Sequence, residues 1–358
     1  DNTGANIDLA DFQGKNIKLL VAKSTSSGPS TISTRLSNKR QTAIHITKIA
    51  NNLEVFERLT IARKITQIAL KEKAGSIAFW VLGFDKDNQE LIARDMISAS
   101  LAQKFIMPEY KSKPAREKIN SIKLIGLSER INLDRILAEA QGNNLARWLT
   151  ALPANKLNAI NYQDLIVRMS KELNWDLDIY KTEELKKMNA GAFLAVAQGN
   201  ENDSAAIIKI KYKPQNIEPE KTLSLVGKGI IFDTGGTNLK PFNSMLDMHI
   251  DMGGSAVALG TLLAITKLKL PIEVDCWLAI TENRTGPEAY KSQDIITAAN
   301  GKTIQTIHTD AEGRMVLADT LFFAGKEKPD FIIDYATLTG ACMNAVTTRY
   351  SGAFTNYP

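Results

Sequence analysis

The stretch VGKGIIFDTGGTNLKP, Val226 to Pro241, decides the fold, because it joins apolar runs to a glycine-rich turn and carries three charged residues. Apolar residues predict a strand over Thr222–Gly227, and Lys228 lies between two glycines at its end. Bare backbone at those glycines would let a ligand approach closely. Asp233 follows a second apolar run. Charges in such surroundings are costly unless they are paired or bound to a metal, so the stretch predicts a site at a strand end.

On both sides of this stretch, short apolar runs alternate with apolar residues at helical spacing. Strands that alternate with helices predict an α/β fold, with mixed or largely parallel sheets flanked by helices. Such sheets keep their ligand sites at the carboxyl edge of the strands. Ser24–Thr34 and Lys111–Lys118 are predicted as polar loops. The other predicted strands are Ile17–Val21, Ile77–Leu82, Ile122–Leu127, Leu177–Tyr180, Ala205–Tyr212, Ile272–Ile280, Thr303–Ile307 and Phe331–Tyr335, and the predicted helices are Leu53–Leu70, Leu91–Phe105, Leu133–Leu149, Tyr162–Leu173, a segment beginning near Gly253, and Arg314–Gly325.

Two domains are expected, because 358 residues exceed the usual size of a single hydrophobic core. The helix predicted over Leu133–Leu149 joins two series of strands and helices. We therefore expect an N-terminal α/β domain over residues 1–150, including this joining helix, and a larger α/β domain over residues 151–358. The charged segments of interest lie in the second domain, at its strand ends.

The composition argues against a disordered chain and against a membrane protein. Hydrophobic residues make up 44% of the chain and charged residues 23%, which are ordinary values for a soluble globular protein. No run of about 20 apolar residues occurs, so no membrane span is expected. Cys276 and Cys342 lie in apolar stretches, which predicts buried free thiols. The lack of a disulfide framework fits a reducing compartment, and we expect the protein in the cytoplasm.

Two further segments place acidic residues close to the starts of predicted helices. Asp251 lies in IDMGGSA, just ahead of a helix. The segment HTDAEGRMVLADTL, His308 to Leu321, carries Asp310, Glu312 and Arg314 at a strand-to-helix turn. Together with Asp233, these segments supply four carboxylates at what we expect to be neighbouring strand ends.

Each of these residues also has a plain structural explanation. Asp251 and Asp310 could cap helices or complement their dipoles, and Lys228, Lys240 and Arg314 could be solvated charges. Four neighbouring carboxylates, however, would repel one another without cations, and divalent metals remove that repulsion. Oxygen ligands suit Mg²⁺ and Mn²⁺, and Zn²⁺ also accepts Asp and Glu. The three histidines, His45, His249 and His308, show no metal-binding spacing.

In order and spacing, the three segments resemble the motifs of the leucine aminopeptidases, a family of two-metal peptidases. The family signature N-T-D-A-E-G-R, followed by an apolar helix, is matched by HTDAEGRMVLADTL, and the resemblance runs from about Asn144 to the end of the chain. It implies hydrolysis of the first peptide bond of peptides, with leucine-like, apolar first residues preferred. It also implies two divalent ions per chain (Zn²⁺, Mn²⁺ or Mg²⁺), a bicarbonate that serves as proton shuttle, and a homohexamer.

The resemblance also implies roles for individual positions. Asp233 and Glu312 would each bind both ions. Lys240 and Arg314 would form the catalytic pair, with the bicarbonate beside Arg314. Arg314 stays protonated and cannot itself be a base, whereas Lys240 could stabilise an oxyanion, typically by about 3 kcal/mol. The implied metal ligands are Lys228, Asp233, Asp251, Asp310 and Glu312, and the implied pocket for the first side chain contains Met248, Thr337 and Gly340.

Three features depart from the family pattern. His308 stands where the signature has Asn, and we expect a local structural role for it rather than a further metal ligand. The segment YKSQDI, Tyr290 to Ile295, resembles the family's Y-R-P-G-D-[VI] but lacks its Pro and Gly, so we expect a changed loop there. The family's catalytic domain continues beyond the position that Pro358 matches, and we expect the continuation to form one wall of the substrate pocket and subunit contacts.

Two alternative functions deserve a test. The element IIFDTGG contains the Asp-Thr-Gly of aspartic proteases, but those enzymes need two such aspartates, and this sequence has one, in an α/β context. The other alternative is an inactive or moonlighting homologue that binds DNA. A net charge of +5, with its excess in the N-terminal part, motivates that hypothesis. All seven key residues are present, which favours the enzyme.

Overall fold

The computed structural model describes residues 31–357, apart from residues 37, 40, 51, 114–118, 128, 202, 216 and 217. The strand expected over Ile17–Val21 lies outside the described residues, as do most of the loop Ser24–Thr34 and part of the loop Lys111–Lys118. The chain divides into two compact units, one up to Ala140 and one from Gln141 onward. This division falls within the helix Asp134–Ala151, whereas the boundary expected from the sequence lies near the end of that helix.

The described part of the first unit consists of β1 (Thr31–Arg35), β2 (Ala43–Thr47), α1 (Val55–Lys71), β3 (Ser76–Trp80), α2 (Lys86–Lys104), β4 (Ser121–Ile125) and the start of α3 (Asp134–Ala151). Strands β1 and β2 pair antiparallel, and strands β3 and β4 pair parallel. Helices α1 and α2 contribute Ala62 and Met96 to a core that also contains Phe79 of β3.

The described end of the predicted loop Ser24–Thr34 is a strand, so the loop prediction was wrong there. Strand β1 pairs with β2, which the sequence analysis also missed, and Thr31 lies opposite Thr47. Their hydroxyls hydrogen-bond across the pair at 2.7 Å. Threonine is polar but β-branched, and such side chains fit a pleated strand, so polarity alone was a poor guide to this segment.

The elements of the second unit are the rest of α3, α4 (Ala159–Leu173), β5 (Asp176–Lys181), α5 (Thr182–Lys187), α6 (Gly191–Ala197), β6 (Ala206–Tyr212), β7 (Lys221–Asp233), α7 (Phe242–Met245), α8 (Gly253–Leu268), β8 (Ile272–Asn283), β9 (Ile295–Thr297), β10 (Thr303–Gln305), α9 (Glu312–Lys326), β11 (Phe331–Tyr335) and α10 (Gly340–Val346). The unit is built on one five-stranded sheet, in the order β11-β7-β8-β6-β5. Strands β11, β7 and β8 are parallel, whereas β6 runs antiparallel to both β8 and β5, so the sheet is mixed. Strand β10 pairs with β9 in a separate hairpin. Helices flank the sheet, which confirms the predicted α/β class.

Both faces of this sheet are covered by apolar layers. Strand β6 shows this directly, because successive residues of a strand point to opposite faces. Ile208 belongs to a core shared with helices α3, α4 and α8, whereas Ile207 belongs to a core shared with α6 and α9. The two layers bury the faces of the sheet, so a functional site can form only at its strand ends and in the loops that follow them.

Strand β7 is longer than the sequence predicted, because it pairs with β8 from Lys221 to Asp233. Lys228 therefore lies inside the strand and not at its end. The glycines around it serve packing: a Cβ atom at Gly227 would lie 2.5 Å from the Cα of Ser255 in α8. The prediction that these glycines admit a ligand was wrong, since the helix itself occupies that space.

Both cysteines are free thiols, as the sequence predicted. Cys276 is buried in β8. Cys342 is only half-buried, because α10 contributes no residue to the core, so the predicted burial was wrong for this thiol.

In the described part of the chain, the helical stretch Phe242–Leu268 is long and apolar enough to cross a membrane by length and composition. It is also 56% buried within the protein. Its main helix, α8, packs Leu259 and Leu262 into the core against the sheet. The apolar composition of this stretch is thus explained by its place in the core.

Close packing of α3 against α8 generates a first prediction. A Cβ atom at Gly260 would lie 2.5 Å from the carbonyl oxygen of Gly142, whereas a Cβ atom at Gly325 in α9 would meet nothing within 4 Å. We expect Gly260→Ala to lower the free energy of unfolding by about 1–3 kcal/mol through overpacking. Gly325→Ala should leave it unchanged or raise it by up to about 1 kcal/mol, since alanine favours helix. Urea denaturation of both variants measures the difference, and a stabilised Gly260→Ala would contradict the packing.

Candidate active site

The candidate site lies where the parallel strands of the large sheet end. Asp233 is the last residue of β7, and it is paired in register with Asn283, the last residue of β8. Asp251 follows a short 3₁₀ turn and lies one residue before Met252, the N-cap of α8. Asp310 lies in a second 3₁₀ turn, and Glu312 is the first residue of α9. The carboxyl edge of the sheet therefore gathers acids from three separate segments, as the sequence predicted.

The acids are close together and mostly buried. Asp233, Asp310 and Glu312 each offer one carboxylate oxygen, and these three oxygens lie within 4.8 Å of one another. Asp233, Asp251 and Glu312 are at most 5% exposed, whereas Asp310 is half-buried. Such an arrangement places several negative charges in a volume with little water, where repulsion between them is weakly screened.

Two lysines lie among these acids. Lys228 Nζ is 2.8 Å from Asp251 Oδ1 and 2.9 Å from Glu312 Oε1. Lys240 Nζ is 2.9 Å from Asp233 Oδ2 and also forms an ion pair with Asp310. Four carboxylates thus face two ammonium groups, which leaves two negative charges uncompensated when all are ionised.

Burial dominates the electrostatics of the deeper half of the site. It raises the pKa of Asp251 to about 6 and the pKa of Glu312 to about 7, although the charge of Lys228 opposes both shifts. For Lys228 and Lys240, burial acts to lower the pKa, but the surrounding carboxylates outweigh it and raise the pKa of each. Without further cations, the site therefore holds its lysines charged and disfavours ionisation of its most buried acids.

The donor set fits divalent cations. Asp251 Oδ2 is buried and accepts no hydrogen bond from any residue in the described part of the chain. A buried carboxylate oxygen without a donor is costly, and a hard cation would satisfy it. The converging oxygens of Asp233, Asp310 and Glu312 add ligands of the same kind. These residues are therefore able to hold cations that offset the excess negative charge.

Of the other residues singled out from the sequence, Thr337 is hydrogen-bonded to the acids and lysines of the site. Its hydroxyl donates to Asp251 Oδ1 at 2.7 Å, and its carbonyl accepts from Lys228 at 2.8 Å. Arg314 is exposed in the first turn of α9, and its side chain forms no ion pair with a described residue. Met248 is half-buried in the 3₁₀ turn before Asp251, and Gly340 is exposed at the start of α10.

A cavity of about 420 Å³ opens beside the more exposed half of the site. Lys240 and Asp310 line it together with His308. His308 Nδ1 accepts a hydrogen bond of 3.2 Å from the backbone N–H of Asp310, which is the local structural contact expected for this residue. The loop after β7 and the turn before α9 thus form the walls of a space that a substrate could enter. Its lining residues are Asn238, Leu239, Lys240, Pro241, Ser244, His308 and Asp310.

Residues that the sequence analysis did not select hold these two loops together. The hydroxyl of Thr309 donates to the Gly235 carbonyl at 2.6 Å and accepts from the Asn238 N–H at 2.9 Å. Tyr290, in the segment YKSQDI, donates its hydroxyl to the Thr309 carbonyl at 2.7 Å. No sequence pattern indicated these contacts, because each contact joins two loop segments that are far apart in the chain.

The turn after β7 depends on glycine. Gly235 and Gly236 have φ angles of +88° and +67°, in the left-handed region that other residues rarely adopt. A Cβ atom at Gly235 would also lie 2.5 Å from the Asn238 carbonyl oxygen. This turn carries the chain from Asp233 back to Lys240, so that both ends of the turn contribute to the site.

The pairing of Lys228 generates a second prediction, for the protein treated with chelator. Lys228→Met would leave Asp251 and Glu312 buried without a positive charge, and we expect a loss of about 3–5 kcal/mol in the free energy of unfolding. Lys221, the first residue of β7, pairs with Asp330 at 3.5 Å, and its side chain is 60% exposed. Lys221→Met should cost about 0–1 kcal/mol. Urea denaturation of both variants tests this, and equal losses would contradict the buried pairing.

Comparisons with known proteins agree with these motifs. The family described as the cytosol aminopeptidase family, catalytic domain, matches residues 144–358. A probable cytosol aminopeptidase of Sulfurihydrogenibium sp. (strain YO3AOP1) is 35% identical over 314 residues, which cover 84% of this chain and 61% of the relative. One of Aquifex aeolicus (strain VF5) is 37% identical over 275 residues, covering 76% and 55%.

A third probable cytosol aminopeptidase, from Trichodesmium erythraeum (strain IMS101), is 36% identical over 334 residues, covering 90% of this chain and 66% of the relative. The chain therefore spans less than two thirds of the length of the relatives it matches. The match nevertheless covers more than half of the chain and includes every segment of the candidate site. This confirms the resemblance seen in the three motifs, and the chain belongs to the cytosol aminopeptidase family.

Proposed function

We propose that this chain carries the catalytic site of a metal-dependent aminopeptidase, which removes the N-terminal residue from peptides. The observation that carries the proposal is the convergence of four carboxylates from three segments around two lysines, at the carboxyl edge of the sheet. The family of the chain supports the same reaction class. A peptidase whose metal ions activate a water molecule needs no nucleophilic side chain, and its acidic residues serve as metal ligands.

Two divalent ions, Zn²⁺, Mn²⁺ or Mg²⁺, would occupy the site, with Asp233 and Glu312 each contacting both. When bound, they supply Lewis acidity and lower the pKa of the attacking water toward neutrality. Lys228 would serve as a ligand through its neutral amine, so it must release its proton as the ions enter. The remaining ligands in this proposal are Asp251 and Asp310.

Lys240 would act on the substrate. Its Nζ lies at the cavity wall, held by Asp233 and Asp310, and the carboxylates around it raise its pKa, so it stays positively charged. A fixed positive charge at this place would stabilise the oxyanion that forms as the peptide carbonyl is attacked. Removal of one such donor typically lowers the rate by about 10²–10³-fold.

Arg314 would act through an anion. Its side chain is exposed in the first turn of α9, two residues after Glu312, and a guanidinium group does not serve as a base in proteins. A bicarbonate held there by paired, charge-assisted hydrogen bonds would supply the base that the arginine cannot be. The side chain thus positions a proton acceptor beside the acids without transferring a proton itself.

The substrate would be a peptide with an apolar first residue. We propose that Met248, Thr337 and Gly340 line the pocket for its first side chain, and the contacts of Thr337 with Asp251 and Lys228 place this residue beside the candidate ligands. A homohexamer in the cytoplasm completes the proposal, on the strength of the family alone.

The two alternative functions have less support. In an aspartic protease, two aspartates share a proton, whereas Asp233 is held by Lys240 and by the backbone N–H of Gly235. The relatives described above are aminopeptidases by name, which gives no support to an inactive or DNA-binding homologue.

A third prediction separates metal ligands from the group that acts on substrate. Asp310→Ala should lose bound metal and hydrolysis of leucine p-nitroanilide together, because a ligand is removed. Lys240→Ala should keep its metal and lose about 10²–10³-fold in kcat, because the oxyanion loses its donor. Metal content per chain, from elemental analysis, is measured alongside the kinetics.

The exposed pair Lys186 and Glu183 offers a control outside the candidate ligand set, and Glu183→Ala should change neither quantity. Full metal occupancy in Asp310→Ala would show that the ligand assignment is wrong. Loss of metal in Lys240→Ala would show that this lysine helps to hold the ions, and not the oxyanion.

A further inference from the structure

Asn283 contacts the candidate site from the neighbouring strand. It is the last residue of β8 and is fully buried. Its amide nitrogen donates to Asp233 Oδ1 at 2.8 Å and to the Thr309 carbonyl at 3.1 Å, and it lies 3.4 Å from Glu312 Oε2. One neutral group therefore touches both acids that are proposed to contact both ions.

The orientation of this amide is fixed by its surroundings. Asn283 Oδ1 is buried and has no hydrogen-bond partner among the described residues. It faces Gly236, where a Cβ atom would lie 3.0 Å from it and 2.9 Å from Thr309 Oγ1. Reversing the amide would aim its oxygen at two carboxylates and a carbonyl, which repel it. The nitrogen is thus directed at the acids even though its oxygen goes unsatisfied.

The neutrality of the amide matters for a cation site. Lys240 binds Asp233 through Oδ2, and Lys228 binds Glu312 through Oε1. Asn283 reaches the other oxygen of each carboxylate, Oδ1 and Oε2. Ammonium groups compete with a metal ion for its ligands, whereas an amide orients the same ligands without adding charge.

We propose that Asn283 is a positioning residue for the di-metal site, and that its amide sets the spacing and orientation of Asp233 and Glu312. This inference rests on the proposed function and adds the group that aligns its two shared ligands. Partners that orient metal ligands typically change metal affinity by about 10- to 100-fold when they are removed. Asn283 therefore acts through the acids and does not touch the substrate.

The test measures Mn²⁺ binding by calorimetry, on chelator-treated protein that is folded by circular dichroism. Asn283→Ala should raise the Kd for Mn²⁺ by about 10- to 100-fold. Asn283→Ser, which keeps one hydrogen to donate and cannot serve both carboxylates, should raise it as well. Electron paramagnetic resonance of the loaded protein should show weaker coupling between the two Mn²⁺ ions in both variants.

Thr281→Val provides the matched control on the same strand. Thr281 is also fully buried, and its hydroxyl lies 2.8 Å from the Asn200 amide and forms no hydrogen bond with the four acids of the site. This variant should have a lower Tm and an unchanged Kd for Mn²⁺. The comparison separates a positioning role, which changes the Kd, from a structural role, which changes only the Tm.

Three results would test the positioning role of Asn283 and distinguish its failure from a failure of the proposed function. Wild-type Kd values in folded Asn283→Ala and Asn283→Ser would overturn the positioning role. If neither variant folds, a crystal structure of Mn²⁺-loaded wild type decides, and an Asn283 amide turned away from Asp233 and Glu312 overturns it. A wild-type protein that binds no Mn²⁺, Zn²⁺ or Mg²⁺ would instead overturn the proposed function itself.

Discussion

The site depends on repulsion between carboxylates that the fold forces together. Asp233, Asp251 and Glu312 are buried, and Asp310 is half-buried beside them. Charges at such distances cannot be screened by water, so they must be protonated, paired or bound to cations. Lys228 and Lys240 supply two positive charges, and the unsatisfied oxygen of Asp251 shows that this compensation is incomplete. The remaining demand for positive charge is the physical basis of the proposed metal site.

The mixed sheet brings these charged residues together, and its packing offsets the unfavourable free energy of their repulsion. Parallel pairing of β7 with β8 brings Asp233 and Asn283 side by side, and the tight turn at Gly235 and Gly236 returns the chain to Lys240. Apolar layers on both faces of the sheet stabilise the second unit as a whole. A local arrangement that is unfavourable by itself can persist when the surrounding core fixes it.

The sequence revealed the charged residues of the site because they interrupt apolar runs and fall in three recognisable motifs. It also predicted the main elements of the second unit, including the helix Arg314–Gly325, which extends over Glu312–Lys326 in the structure, and the strand Phe331–Tyr335. It could not reveal Asn283 or Thr309, since their roles follow from strand register and loop contacts between distant segments. The strand that begins at Thr31 was missed for another reason. Its hydroxyl-bearing residues are polar, as loop residues often are, but its β-branched side chains favour a strand.

The most direct measurement is an anomalous-difference map from crystals of the protein soaked in Mn²⁺. We expect two peaks at the carboxyl edge of the large sheet, each within coordination distance of the carboxylates of Asp233 and Glu312. Asp251 and Lys228 should lie beside one peak or the other, with the ion pair between them broken. A map with no peak among these side chains, from crystals grown at neutral pH in saturating Mn²⁺, would contradict the central claim that the acids converge to hold cations.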